Sequence, residues 1–261
     1  MVLAIDIGNS TTTIGLFGEK GELLFRSGIA TSRSTSEDQC ALDLLGLFQL
    51  YRSDITVVSG AAISSEVPSV TAHMRGAVAR LIGKPPLVMG PGTKTGLNIK
   101  SDLHTQLGSD IVACSVAALA KYPSPVIVVD MGTAVTMSYL RERTYEGCVI
   151  MPGVRVALEA LSERAAALPH ISIEAPGSIF GHNTVDAMRS GVVYGNASMI
   201  DGMIGRMEAE SVPAATVVAT GGSAPEVLKY CRREIVYDAD LVLHGLYLIY
   251  QKNTEGRIRR S

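Results

Sequence analysis

Val2-Leu3-Ala4-Ile5-Asp6-Ile7-Gly8-Asn9-Ser10-Thr11-Thr12-Thr13 is echoed later in the chain by Val126-Ile127-Val128-Val129-Asp130-Met131-Gly132-Thr133-Ala134-Val135-Thr136. Each is an apolar run that ends in an Asp, then a Gly, then residues with hydroxyls. Apolar side chains resume after both turns (Ile14, Leu16, Phe17; Met137, Tyr139, Leu140). The spacing therefore predicts two β-hairpins, not strands that feed helices. That excludes the usual dinucleotide fold, whose glycine turn opens a helix. Two such hairpins facing each other across a cleft could hold a nucleotide's phosphates from both sides, and the repeat points to a two-domain phosphotransferase.

Outward from the first hairpin, the pattern predicts strands at 2–7, 12–17 and 23–29, a helix at 36–51, a strand at 55–60, a helix at 67–82 and a strand at 86–89. A glycine-rich loop (90–96) and a helix from about 108 to 121 follow. After Pro123 and Pro125 the order restarts, with strands at 126–131, 133–140 and 144–151 and helices at 153–163 and 182–208. A strand at 215–219 and helices at 222–230 and 239–251 complete it. One duplicated βββαβα unit accounts for both halves, with domains at 1–117 and 118–261. The expected class is α/β with mixed sheets and helices outside. The loop Gly90-Pro91-Gly92-Thr93-Lys94-Thr95-Gly96 lacks the P-loop spacing and reads as a surface or substrate-side loop.

At 261 residues, 47% hydrophobic and 18% charged, the chain has core enough for two domains. A net charge of −2 gives nucleic acid nothing to bind by bulk electrostatics. The basic tail (Lys252, Arg257, Arg259, Arg260) reads as a solvated end. No signal-peptide pattern or membrane-length apolar run is visible. The four cysteines (Cys40, Cys114, Cys148, Cys231) form no CxxC pair, and Cys114 and Cys148 are expected as buried thiols. The histidines show no zinc-ligand spacing. A cytoplasmic protein without membrane or nucleic-acid partners is expected.

Asp6 ends its strand where a carboxylate can hold a Mg²⁺ that bridges nucleotide phosphates. Gly8 lets backbone come close, and Asn9, Ser10, Thr11 and Thr12 offer N–H and hydroxyl donors. These are ordinary turn residues as well; the second copy at Asp130-Met131-Gly132-Thr133 tips the balance to phosphate. Thr220-Gly221-Gly222-Ser223-Ala224 opens a helix after a strand, which suits the nucleoside or α-phosphate end or simply a tight turn. Asp110, in Gly108-Ser109-Asp110, is either a helix cap or the base that accepts a proton from the attacking hydroxyl. Gly191, Gly195, Met199 and Met203 recur at steps of four, a smooth face for helix packing in the core or across a dimer. In Gly181-His182-Asn183-Thr184, Asn183 or Thr184 caps the next helix.

Together these pieces resemble the type III pantothenate kinases of the acetate and sugar kinase/Hsp70/actin (ASKHA) superfamily. Asp6-Ile7-Gly8-Asn9-Ser10 is similar to the family's first phosphate motif, Asp130-Met131-Gly132-Thr133-Ala134 to its second, and Gly108-Ser109-Asp110 to its GxD motif. Met151-Pro152-Gly153, Gly181-His182-Asn183-Thr184, Thr220-Gly221-Gly222 and Gly245-Leu246 follow in the family's order. The resemblance implies two ribonuclease H-like domains, a homodimer, and ATP-dependent phosphorylation of pantothenate, the first step towards coenzyme A. It implies Mg²⁺ and a monovalent cation, K⁺ or NH₄⁺. It assigns ATP contacts to residues 6–13 (Asp6, Ile7, Gly8, Asn9, Ser10, Thr11, Thr12, Thr13) and Thr133, with Gly221 and Gly222 beside them. Mg²⁺ falls to Asp6, the monovalent cation to Asp130 and the proton to Asp110. Pantothenate falls to Gly108, Ser109, Asp110, Ile111 and Thr184, the last from the partner subunit.

Departures gather on the acceptor side. Ile111 stands where the family usually has Arg, Ser101 where an aromatic is common, and Leu103-His104 where Asn-Pro is. Val135 replaces a hydroxyl residue, His182 a Lys, and Glu146 one Gly of a pair. A kinase of this fold with another small hydroxyl acceptor, and a non-catalytic regulatory paralogue, are the alternatives.

Overall fold

A computed structural model describes residues 1–100 and 106–258. Ser101, Leu103, His104, Arg259 and Arg260 lie outside the described residues. In chain order the first half is β1 (Val2–Ile7), β2 (Thr11–Phe17), β3 (Leu23–Ala30), α1 (Glu37–Leu50), β4 (Gly60–Ser65), α2 (Pro68–Ile82), β5 (Leu87–Val88), β6 (Asn98–Ile99) and α3 (Ser109–Lys121). The second is β7 (Val126–Met131), β8 (Ala134–Arg141), β9 (Thr144–Pro152), α4 (Val154–Arg164), α5 (Thr184–Glu210), β10 (Thr216–Thr220), α6 (Ala224–Leu228), β11 (Val236–Tyr237) and α7 (Leu241–Ile258).

The chain divides into two compact units, Met1–Ala120 with the final segment from Asp240, and Lys121–Ala239. The second domain was expected to run from 118 to the end. Instead α7 packs on β1, β2 and β4 of the first unit. Leu243, Leu246, Tyr247 and Ile249 are its buried face there, against Val2, Ala4, Phe17 and Ala62. The local reason is a lane of small residues: Ala4 lies beside Gly15 on one side and Ala62 on the other. A Cβ at Gly15 would press on the Leu243 side chain.

Both hairpins form. In the first unit the sheet order is β3-β2-β1-β4-β5, and within the second it is β9-β8-β7-β10-β11. The senses match too: β1 and β7 run antiparallel to the strand that follows each and parallel to β4 and β10 respectively. Duplication is thus visible in topology as well as sequence. The period of two in β1 sends Leu3, Ile5 and Ile7 into a core with α1 and α2, while Val2 and Ala4 face α7. Asp6 shares the Val2–Ala4 face. In β7, Ile127, Val129 and Met131 pack with α5 and α6, which puts Asp130 on the opposite face. Truncating one such core aliphatic to Ala costs ~2–5 kcal/mol.

One strand was expected in the wrong place. Residues 55–57 form a 3₁₀ turn, held by Thr56 N–H donating to Asp54 Oδ1 at 2.8 Å. The β-branched run there suggested a strand, but Asp54 captures the amide. The strand proper is Gly60–Ser65, poor in β-formers, and its pairing with β1 (Ile7 opposite Ser65) overrides propensity. Cys148, expected buried, is partly exposed in β9, and no disulfide joins any of the four cysteines. No helix among the described residues is long and apolar enough to cross a membrane.

Candidate active site

The first turn is closed by Gly8 N–H donating to Thr11 O at 3.1 Å, and the second by Gly132 N–H donating to Ala134 O at 3.0 Å. Asp6 lies opposite Thr13, and Asp130 opposite Thr136. The second turn is one residue shorter, so Val135 corresponds to Thr12. Both face inward. Thr12 is buried with its hydroxyl 2.9 Å from that of Thr31, and Val135 is fully buried in the core of its unit. The hydroxyl absent at 135 is therefore a core group, not a phosphate contact. Asn9, Ser10, Thr11 and Thr133 are exposed, and Thr13 is partly so.

Two further motifs press on the second turn. Gly153 N–H donates to Thr133 O at 3.1 Å, and a Cβ at 153 would collide with the carbonyls of Gly132 and Thr133. Gly221 has φ +94, and its Cβ would lie 2.6 Å from the Met131 carbonyl. Ser223 N–H donates to Met131 O at 3.3 Å. The glycines of both motifs are thus needed for close packing against the turn. Gly222 is exposed with open space around it.

The end of β4 and the residue after it, which the sequence reading missed, carry a hydrogen-bond network that reaches Asp6 and α3. Ser64 Oγ donates to Asp6 Oδ1 at 2.7 Å and lies 3.1 Å from Ser109 Oγ. Ser65 N–H donates to Ser109 Oγ at 3.0 Å. Glu66 N–H donates to Ile7 O at 3.0 Å, and its Oε2 accepts from Asn9 Nδ2 at 2.8 Å. Asn9 Oδ1 in turn accepts from Arg33 at 3.2 Å. Placing the strand five residues early hid all three residues; the Ser-Ser-Glu run before Pro68 was the available signal.

Asp110 sits inside the first turn of α3 and does not precede it as a cap would. Its Oδ1 is buried and has no hydrogen-bond partner among the described residues. Burial pushes its carboxyl above the usual range, partly opposed by the backbone amides of Ile111 and Asp110. Glu66 is also raised, by burial and then by the Asp110 charge, with the Asn9 hydrogen bond opposing. A Cβ at Gly108 would collide with Asp110 Oδ1, which accounts for the glycine two residues before the carboxylate. Ile111 beside it is partly buried.

Elsewhere, Asn183 caps α5 by accepting from Asp186 N–H at 2.9 Å, so Thr184 is not the cap and is exposed. The predicted stripe splits: Gly191 and Gly195 are exposed, whereas Met199 and Met203 pack on the core. The loop 90–96 is a surface turn tied to α7 through Lys94 N–H to Asn253 Oδ1 at 3.1 Å. His182 is exposed, and Glu146 pairs with Arg141 at 3.1 Å.

The family model described as type III pantothenate kinase matches residues 2–206. The chain belongs to the type III pantothenate kinase family. The type III pantothenate kinase of Halalkalibacterium halodurans is 39% identical over 97% of this chain and 100% of its own length. Among solved structures, a conserved Campylobacter jejuni protein assigned to the Baf family of transcriptional activators superposes with TM-score 0.60. It is 19% identical, over 97% of this chain and 99% of that one. A ROK family glucokinase from Streptomyces griseus, solved with glucose and AMPPNP, gives TM-score 0.59 at 13% identity, covering 96% and 99%. At those identities the structures speak to the fold alone, which is ASKHA. Family membership makes this type III pantothenate kinase homologue an ATP-dependent kinase.

Proposed function

We propose that the protein phosphorylates pantothenate on its primary hydroxyl, the first step of coenzyme A biosynthesis, in the cytoplasm and as a homodimer. ATP phosphates are taken by the turn at Asp6–Thr13 and by Thr133, with Gly221 and Gly222 towards the nucleoside end. Asp110 accepts the hydroxyl proton. Gly108, Ser109, Ile111 and Thr184 of the partner subunit hold the acceptor.

The observation that carries this reading is the buried Asp110 Oδ1, without a hydrogen-bond partner among the described residues, on a helix whose first residue is hydrogen-bonded to the β4 serine that donates to Asp6. A carboxyl raised by burial is a better proton acceptor near neutral pH than an exposed one. Most of the rate enhancement then comes from positioning and charge neutralisation.

Asp6 fits Mg²⁺, which keeps several waters and takes one or two carboxylates beside substrate phosphates; it needs no all-protein cage. Among the described residues no group of three or more His, Cys, Asp or Glu gathers as such a cage would. Mg²⁺ would neutralise charge on the transferred group. Asp130, at the end of β7 on the face away from the core, would hold K⁺ or NH₄⁺ through its carboxylate. The exposed face of α5 supports the homodimer: Gly191, Gly195, Gly202 and Gly205 lie on it, and a Cβ at any of them would meet open space.

Incubation with ATP and an equimolar mixture of pantothenate and other small alcohols, with products identified by mass, tests the assignment. A monophosphorylated pantothenate is expected. Phosphorylation of another small alcohol in its place would make Ile111 a mark of changed acceptor choice.

A further inference from the structure

We propose that Ser64 is a positioning residue for phosphoryl transfer, a buried strut that locks the carboxylate end of β1 to the start of α3. The proposal rests on the reading above, in which Asp6 serves the phosphates and Asp110 the acceptor hydroxyl.

Ser64 is fully buried. A hydroxyl has one proton to donate, and that of Ser64 goes to Asp6 Oδ1 at 2.7 Å. The 3.1 Å contact between Ser64 and Ser109 therefore has Ser109 as donor. Ser109 Oγ is left to accept, and it does so from Ser65 N–H at 3.0 Å. Every proton in the chain from Ser65 N–H through Ser109 and Ser64 to Asp6 thus points the same way and ends on a carboxylate. Hydrogen bonds so aligned polarise one another in a low-dielectric setting.

Sequence register makes the strut rigid. Ser64 lies beside Asp6 in the parallel β1–β4 ladder, so the backbone already sets its distance. Ser109 is the first residue of α3, immediately before Asp110. Glu66, two residues beyond Ser64, fixes the other side of the phosphate turn through Ile7 O and Asn9. One tripeptide thereby ties the Asp6 turn to the Asp110 helix, and small misplacements of reacting groups are costly in rate.

The test is steady-state kinetics with melting curves on the full chain, comparing Ser64→Ala, Ser109→Ala, the double variant, Ser109→Thr and Asp110→Asn. Ser64→Ala and Ser109→Ala should each lower kcat about tenfold, with KM for ATP moved less than about twofold in both and KM for the acceptor moved less than about twofold in Ser64→Ala. The double variant should be no slower than the slower single, because both remove one linkage. Ser109→Thr keeps the hydroxyl and should restore turnover. Unchanged kcat in Ser109→Ala, or losses that multiply in the double variant, would overturn the strut. Should Ser64→Ala fail to fold, the Ser109→Ala and Ser109→Thr pair decides by the same criterion. Full turnover in Asp110→Asn would instead remove the base assignment, with the serine coupling still read from its own variants.

Discussion

Asp6 and Asp130 occupy the same register position in two sheets of the same strand order: Asp6 lies opposite Thr13, Asp130 opposite Thr136, and each is two residues before the glycine that closes its turn. The neighbouring parallel strands correspond as well. Asp6 accepts from the Ser64 hydroxyl of β4, and the position beside Asp130 in β10 is again a buried hydroxyl residue, Thr220. Duplication supplied two carboxylates, each beside a hydroxyl residue of the next parallel strand.

Gly108→Ala tests the GxD spacing. The added methyl would collide with Asp110 Oδ1, and since the carboxylate is the movable partner, the base is displaced while the helix survives. Turnover should fall at least about tenfold with little change in melting temperature. Kinetics beside a thermal melt check this, and wild-type turnover would show that Asp110 has room to spare.

Asp110→Asn should melt higher than the wild type at pH 8 while losing activity. Burial raises the folded-state pKa above the unfolded value, so the folded state binds the extra proton. The stabilisation is complete below the unfolded pKa and is lost as pH rises through the raised one. At pH 8 the wild type carries a buried charge that Asn does not. Activity has the opposite sign: kcat/KM should fall as pH drops through the raised pKa, because the base must be ionised. Melting curves and a pH–rate profile read both.

Val135→Thr restores a hydroxyl common in the family's second motif, but into a fully buried core position. A loss of ~1–3 kcal/mol in stability is expected, with KM for ATP unchanged. Urea denaturation and ATP titration test the pair of outcomes; a clear gain in ATP affinity would place residue 135 at the ligand after all.

Gly221→Ala should cost at least ~1 kcal/mol from its left-handed backbone alone. The methyl would also push on Met131 at the second hairpin turn. KM for ATP should rise together with the fall in stability.

Gly191→Leu addresses the proposed dimer. Nothing lies within 4 Å of a Cβ there, so the monomer accommodates the change and gains ~0.5–1 kcal/mol of helix propensity. Sedimentation should show a weakened dimer with a fold at least as stable. An unaffected dimer would place the interface elsewhere.

The hairpins, their duplication and the Asp-x-Gly turns were legible because a period of two and a repeated turn are local signals. From its own segment Asp110 was legible only as base or cap, and the resemblance favoured the base; the burial of its Oδ1, which supports that reading, is encoded in no local pattern. Ser64, Ser65 and Glu66 were missed because Gly-Ala-Ala-Ile-Ser-Ser is a weak strand by propensity, made one by pairing with β1. The return of α7 to the first sheet was hidden for a related reason: Gly15 and the alanines that admit it are meaningful only once three strands lie side by side.

The proposed K⁺ requirement and the proposed role of Asp110 as base meet in one assay. Phosphate transfer from ATP to pantothenate with Mg²⁺, measured with and without K⁺ and beside Asp110→Asn, tests both most directly. K⁺-dependent turnover that collapses in the variant is expected. A folded dimer that binds ATP yet transfers no phosphate to pantothenate under any of these conditions would contradict both.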